Sequence, residues 1–205
     1  TPATTGMVYA RLIDYPKGFD MCGSDASKIL NKRLSNLFSR HAEVIEGLND
    51  TINVDYDDSI KVGRSGGSLH TETNATMTAT EVQISVTEKL GNPIKALLRF
   101  MIKYLIMDPD TGSALAFLLP NYEKGAWTAD KKSFALLVYE VSPTGDTVIN
   151  AQLVVNMMPK NDGEYVFKKD ISGAKEVRKY SVGFTGLALR GREYITMAQT
   201  YVDEV

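Results

Sequence analysis

The chain has 205 residues, with 23 Lys plus Arg, 25 Asp plus Glu, one Cys and two His, and a formal net charge of −2. A single cysteine excludes an internal disulfide and a zinc site, two histidines leave little for acid–base or metal chemistry, and the slightly acidic balance argues against a general nucleic-acid binder. At 43% hydrophobic and 23% charged residues the chain reads as one ordinary globular domain over 1–205. It contains no apolar run of about 18 residues that would cross a membrane. No basic stretch leads into an apolar one at the N-terminus, so no signal peptide is read there.

In chain order, Met7 to Asp14 reads as a short strand, and Pro16, Gly18 and Gly23 mark a loop. Ile29, Leu30, Leu34, Leu37 and Phe38 then fall at helical spacing, predicting a helix over 25–40 capped by Ser24 or Asp25. Gly47 to Asp50 ends that region. Ile52, Val54 and Tyr56 alternate with Asn53, Asp55 and Asp57, the period of a strand. In the Thr-rich stretch that follows, Ala75, Met77 and Ala79 hold odd positions, whereas Val82, Ile84 and Val86 hold even ones. The slip near Thr80 predicts a bulge or a break, because a one-residue shift exchanges the faces of a strand. A single strand over 68–88 would also be about 70 Å long at ~3.3 Å per residue, so part of it must bend or project.

Asn92 and Pro93 open the clearest predicted helix, 93–107, with Ile94, Leu97, Leu98, Met101 and Leu105 as its apolar stripe. Lys95, Arg99 and Lys103 form a basic ridge on another face. Asp108 to Gly112 stops the helix with a turn. The remainder reads as β: Phe134 to Val141, a turn over Ser142–Asp146, its partner Thr147 to Met157, a turn over Pro159–Gly163, and Val177 to Leu189. The segment 193–205 fits either helix or strand.

Motifs for chemistry are weak. Gly63-Arg64-Ser65-Gly66-Gly67-Ser68 lacks the Gly-Lys-Ser/Thr ending of a phosphate loop, and the Asp108 turn lacks the third ligand and closing Glu of a calcium loop. No catalytic residue, cofactor site or metal site is read, and no cofactor is called. The strongest local bias is the block Glu43, Glu46, Asp50, Asp55, Asp57 and Asp58, which holds no Lys or Arg.

The order of elements resembles the tail tube proteins of contractile-tailed bacteriophages, related to the tubes of type VI secretion and other contractile injection systems. The resemblance rests on Val148 to Leu153, on Met158-Pro159-Lys160-Asn161-Asp162-Gly163-Glu164, on Glu176 to Phe184, and on a strand closing at Val82 to Thr87 before the helix at Asn92 to Met107. It covers about 45–190, with 1–40 and 193–205 as additions to the family core. It implies a mainly β, α+β domain: an antiparallel β-sandwich or barrel-like tail tube domain with a flanking helix. It also implies a structural virion protein, assembled in the host cytoplasm, that self-assembles into stacked hexameric rings. The implied partners are the tail sheath outside, baseplate and tail terminator proteins at the ends, and genomic DNA passing through without specific binding.

Within that frame Asp55, Asp57 and Asp58 are candidates for the lumen or rim, since a wall without basic residues retains phosphate weakly. Gly63, Arg64, Ser65, Gly66 and Gly67 form the candidate ring-stacking loop. Lys95, Arg99 and Lys103 are the candidate ridge facing a neighbouring subunit or the sheath. Two alternatives are weighed: a tube-initiating baseplate protein or secretion-system tube, which shares the fold and differs in partners, and a monomeric β-sandwich binding module. The latter would need a cluster of exposed aromatics, whereas the one Trp and ten Tyr are scattered.

Overall fold

The computed structural model describes residues 6–48, 52–62, 67–77, 80–89, 91–125, 127–163 and 179–204. The elements in order are β1 (Met7–Asp14), α1 (Ser24–Asn36), β2 (Ala42–Glu46), β3 (Ile52–Val62), β4 (Gly67–Met77), β5 (Thr80–Thr87), α2 (Pro93–Phe100), β6 (Phe134–Val141), β7 (Val148–Pro159), β8 (Lys179–Arg190) and α3 (Arg192–Asp203). Six strands form one antiparallel sheet in the order β1-β6-β7-β8-β5-β2, while β3 and β4 pair only with each other. The chain is therefore mainly β with flanking helices, as its order of elements suggested.

Period two in the strands sorts the side chains to two faces. On β5, Val82, Ile84 and Val86 are fully buried, and on β8 so are Val182 and Phe184. With Phe134, Leu136 and Val138 of β6 they line one core. The sheet curls around this core, and helices cover it: Leu34 of α1, Leu37 and Phe38 just beyond it, and Leu97, Leu98, Met101 and Leu105 of the α2 region. Phe38, Phe134 and Phe184 meet at its centre with ring centroids 5.5–5.8 Å apart. The opposite residues of β6, Leu137, Tyr139 and Val141, join Val148 and Ala151 in a second cluster capped by Ala198, Ile195 and Tyr201 of α3. Gln199 fastens α3 there, accepting from the Val148 amide at 2.9 Å and donating to the Asp146 carbonyl at 2.9 Å.

Of the expected sandwich or barrel-like forms, the described residues show the barrel-like one, a curled antiparallel sheet covered by helices on both faces. The reason lies in the broad apolar surface of the two helical segments, each of which ends in a π-turn, at Leu37–His41 and Met101–Ile106. The extra residue per turn rotates later side chains around the axis, so one segment buries a wider arc than a regular helix. The predicted helices 25–40 and 93–107 are each a shorter α-helix prolonged in this way, 93–107 through Ile106.

Two caps differ from expectation. Gly23 occupies the N-cap of α1, and Ser24 and Asp25 lie inside the helix. Asn92 holds the N-cap of α2 in a left-handed conformation (φ 51°), but its side chain makes no capping bond. Glu88 does that work instead. Its carboxylate accepts from the Ile94 and Lys95 amides at 3.3 and 3.1 Å, where an anion also meets the favourable end of the helix dipole. The predicted phase slip near Thr80 falls at the boundary between β4 and β5, which belong to different sheets.

Candidate assembly interface

Among the described residues the main sheet does not close: its outer strands, β1 and β2, each pair on one side only, which leaves one row of backbone donors and acceptors on each without a strand partner there. The curl brings both edges to one cavity of about 770 Å³, walled by Val8, Tyr9, Ala10 and Arg11 on one side and Ala42, Glu43, Val44 and Ile45 on the other. Phe38 and Ser39, from the π-turn leading into β2, also line it. Met7, Val8 and Tyr9 are 64%, 55% and 46% exposed, so the β1 edge offers apolar surface beside its open backbone.

The two edges are held differently. On β1, Tyr9 stacks on its cross-strand partner Tyr139 at 5.7 Å, and the Arg11 guanidinium lies 3.7 Å over the Tyr201 ring of α3. On β2, Glu43 reaches across β5, accepting from the Thr87 hydroxyl and pairing with Lys179 of β8 at 2.7 Å. Those contacts, Lys179 foremost, hold the Glu43 carboxyl below the usual range.

The basic ridge of α2 is engaged by its own chain. Arg99 pairs with Asp162 at 2.6 Å, and Lys95 donates to the Gly163 carbonyl at 3.1 Å. Lys103 lies 3.3 Å from Asp108 and 3.8 Å from Asp110. The ridge therefore pins α2 to the turn after β7 and to the turn that ends its own segment. Beneath it, the Tyr180 hydroxyl donates to Glu88 at 2.5 Å in a buried contact. Burial and the adjacent carboxylate push the Tyr180 phenol far above its normal range, so it stays a donor at any working pH. This Glu88–Tyr180 node was not legible as a site, since its partners lie 92 residues apart.

The candidate acids lie on β3. Asp55 is in register with Asn74 and Asp57 with Thr71, and the pairing shifts between Asp55 and Tyr56 and again between Asp57 and Ile60, across Asp58. The strict alternation read from the sequence is therefore interrupted by irregular pairing. In the candidate stacking loop, 63–66 lie outside the described residues, and Gly67 opens β4. The acids thus lie along one strand of the separate two-stranded sheet.

His41, at the end of the π-turn before β2, has its pKa lowered, first by burial and then by Lys89. A lowered folded-state value means the folded chain resists protonation more than the unfolded one. Its stabilising contribution is present above about pH 6.5 and is lost as pH falls through the depressed folded value. Melting curves over the pH range 7 to 5 are expected to show a fall in Tm, measured by circular dichroism, that His41→Gln makes shallower. An identical slope in the variant would remove His41 from the acid response.

Open edges flanked by exposed apolar residues are what a sheet needs in order to continue into another chain. A family model described as phage tail tube protein matches residues 2–205, and the chain belongs to that family. It is accordingly a structural component of the phage virion, not an enzyme. No curated protein matches it. Among solved structures, the sheath–tube complex of the extracellular contractile injection system PVC, in the extended state, is similar at 7% identity. That match has a TM-score of 0.43 and covers 93% of each chain. The sheath/tube terminator of the same system aligns at 7% identity and TM-score 0.39, over 73% of this chain and 84% of that one. The tube-terminating cap of the anti-feeding prophage aligns at 11% identity and TM-score 0.40, over 73% and 80%. Among the described residues no helix is long and apolar enough to cross a membrane.

Proposed function

We propose that copies of this chain join edge to edge into hexameric rings, and that the rings stack into the inner tube of a contractile tail, through which DNA is ejected. The observation that carries this reading is the pair of edges, β1 and β2, that have no outer strand partner among the described residues of one curled sheet. A sheet that continues into its neighbour satisfies both edges at once, and a contact between unlike patches closes into a ring when the rotation allows. The β3–β4 hairpin, separate from the main sheet, supports an axial role for the loop 63–67. Asp55, Asp57 and Asp58 on that hairpin are proposed to face the lumen or rim, where repulsion of phosphate favours transit over retention. Lys95, Arg99 and Lys103 are proposed to face a neighbouring subunit or the sheath with their charge already balanced by Asp162, Asp108 and Asp110. The tube's other partners in this reading are baseplate and terminator proteins at its ends.

Electron microscopy of the purified protein, with mass measurement in solution, is the test. Six-membered rings or tubes are expected. A strict monomer at high concentration and at every salt condition overturns the reading. Removing Arg64 to Ser68 is expected to leave rings but block stacking, and normal tubes from that variant would end the axial assignment.

A further inference from the structure

A second, smaller cavity of about 160 Å³ lies at one end of the seam between the sheet's edges. Val8 of β1, Leu48 just after β2 and Val138 of β6 give it apolar walls, while Glu140, Asn150 and Gln152 supply polar groups. Gln152 is 6% exposed, and its side-chain oxygen is buried without a hydrogen-bond partner among the described residues. Buried acceptors are almost always satisfied in native proteins, by protein groups or by water, so an orphan oxygen lining a cavity leaves a place for a donor from the cavity side. Glu140 uses one carboxylate oxygen to accept from the Gly6 amide at 2.8 Å and forms no ion pair among the described residues.

An apolar wall with a carboxylate and a buried carbonyl suits one class of group: a cationic head on an aliphatic stem. An anion would be repelled by Glu140, whereas a cation would pair with its half-exposed carboxylate. The chain itself carries such groups. On α1, Lys28, Lys32 and Arg33 are exposed and make no ion pair among the described residues, and Glu46 on the β2 edge is an exposed acid of the opposite sign. We propose that the pocket at Gln152 and Glu140 receives a lysine or arginine side chain from α1 of a second copy. The proposal rests on the self-assembly reading above and gives it one specific contact. Pocket and helix are different patches of one chain, so the contact is head-to-tail and suited to a ring.

The test has two arms on the full chain. In the first, ethylguanidinium is titrated into dilute protein and followed by NMR at the Gln152 side-chain amide and the Val8 and Leu48 methyl groups. A saturable shift is expected, with a dissociation constant on the order of millimolar. Gln152→Leu, which replaces the orphan amide with an apolar group of similar size, is expected to abolish it, and Glu140→Gln to weaken it roughly tenfold. In the second arm, assembly is measured by sedimentation and electron microscopy. Gln152→Leu and the charge reversal Lys28→Glu/Lys32→Glu/Arg33→Glu are each expected to lower the yield of rings at unchanged melting temperature. Should Glu140→Gln unfold, Gln152→Leu decides the first arm alone. Absence of a saturable shift overturns the pocket's chemistry. A shift accompanied by wild-type ring yield in Gln152→Leu or in the α1 variant overturns the second copy as its source. If the wild-type chain forms no rings at all, the tube reading and the second-copy source fall, and the titration still decides which head group the pocket accepts.

Discussion

Replacing Phe184 with alanine is expected to cost about 3–5 kcal/mol of folding stability. The side chain is fully buried and sits between Phe38 and Phe134, at 5.5 and 5.8 Å. Its loss removes both the transfer of a large ring out of water and its tilted contact with Phe38 and edge-to-face contact with Phe134, and the curled sheet cannot collapse to fill the gap because three elements fix its walls. In a chain of this length the change corresponds to a fall in Tm of roughly 6–20 °C, read by calorimetry. A loss below about 1 kcal/mol would show that the three rings do not form the centre of the core. Phe38→Ala and Phe134→Ala should each be large too, but not additive with Phe184→Ala, because the three share one cluster.

Glu88→Ala is expected to cost about 2–4 kcal/mol. The carboxylate serves the Ile94 and Lys95 amides at the start of α2 and the buried Tyr180 hydroxyl at the same time. Alanine leaves all three donors without their acceptor in a place water barely reaches, and unmet buried donors cost more than the bonds contribute when made. Tyr180→Phe removes donor and demand together and is expected to cost roughly half as much. Denaturant unfolding of both single variants and of the double variant measures the coupling. If Glu88→Ala costs no more than Tyr180→Phe, Glu88 is not the cap of α2.

How much of this was written visibly in the sequence depends on how local the cause is. β1, the β6–β7 hairpin and the boundary between β4 and β5 follow from alternation and turn residues within a few positions, and all are found where expected. β2 was not legible. Its five residues, Ala42–Glu46, follow the helical segment directly, and Glu43, Val44 and Glu46 are exposed, so no alternation marks a buried face. The π-turns at Leu37–His41 and Met101–Ile106 change one hydrogen-bond step without changing composition, and periodicity could only hint at them through the breadth of apolar positions after Phe100. The tail was undecided because Ile195, Ala198 and Val202 fit a helix while β-branched residues such as Ile195, Thr196 and Thr200 fit a strand. Packing against β6 and β7 settles it as α3.

The candidate site divides in the same way. The ridge Lys95, Arg99 and Lys103 could be read from spacing alone, but its partners Asp162 and Asp108 lie in turns whose position only the fold supplies. Asn92-Pro93 gave a strong local signal for the start of α2 and so concealed Glu88, which reaches the same amides from outside the helix. The edge strands were invisible as edges, because a sequence shows that a strand exists and not how many neighbours it has.

The unlikeness of those edges has a directional consequence. β1 is apolar and clasped by α3, whereas β2 is tied across the sheet through Glu43 and Lys179. In a ring built by joining one kind of edge to the other, every subunit points the same way around, and the mirror arrangement is forbidden by chemistry. If such rings stack with unlike faces together, as the proposed tube requires, the filament has two chemically different ends. Growth and arrest could then be assigned to opposite ends without any signal carried along its length.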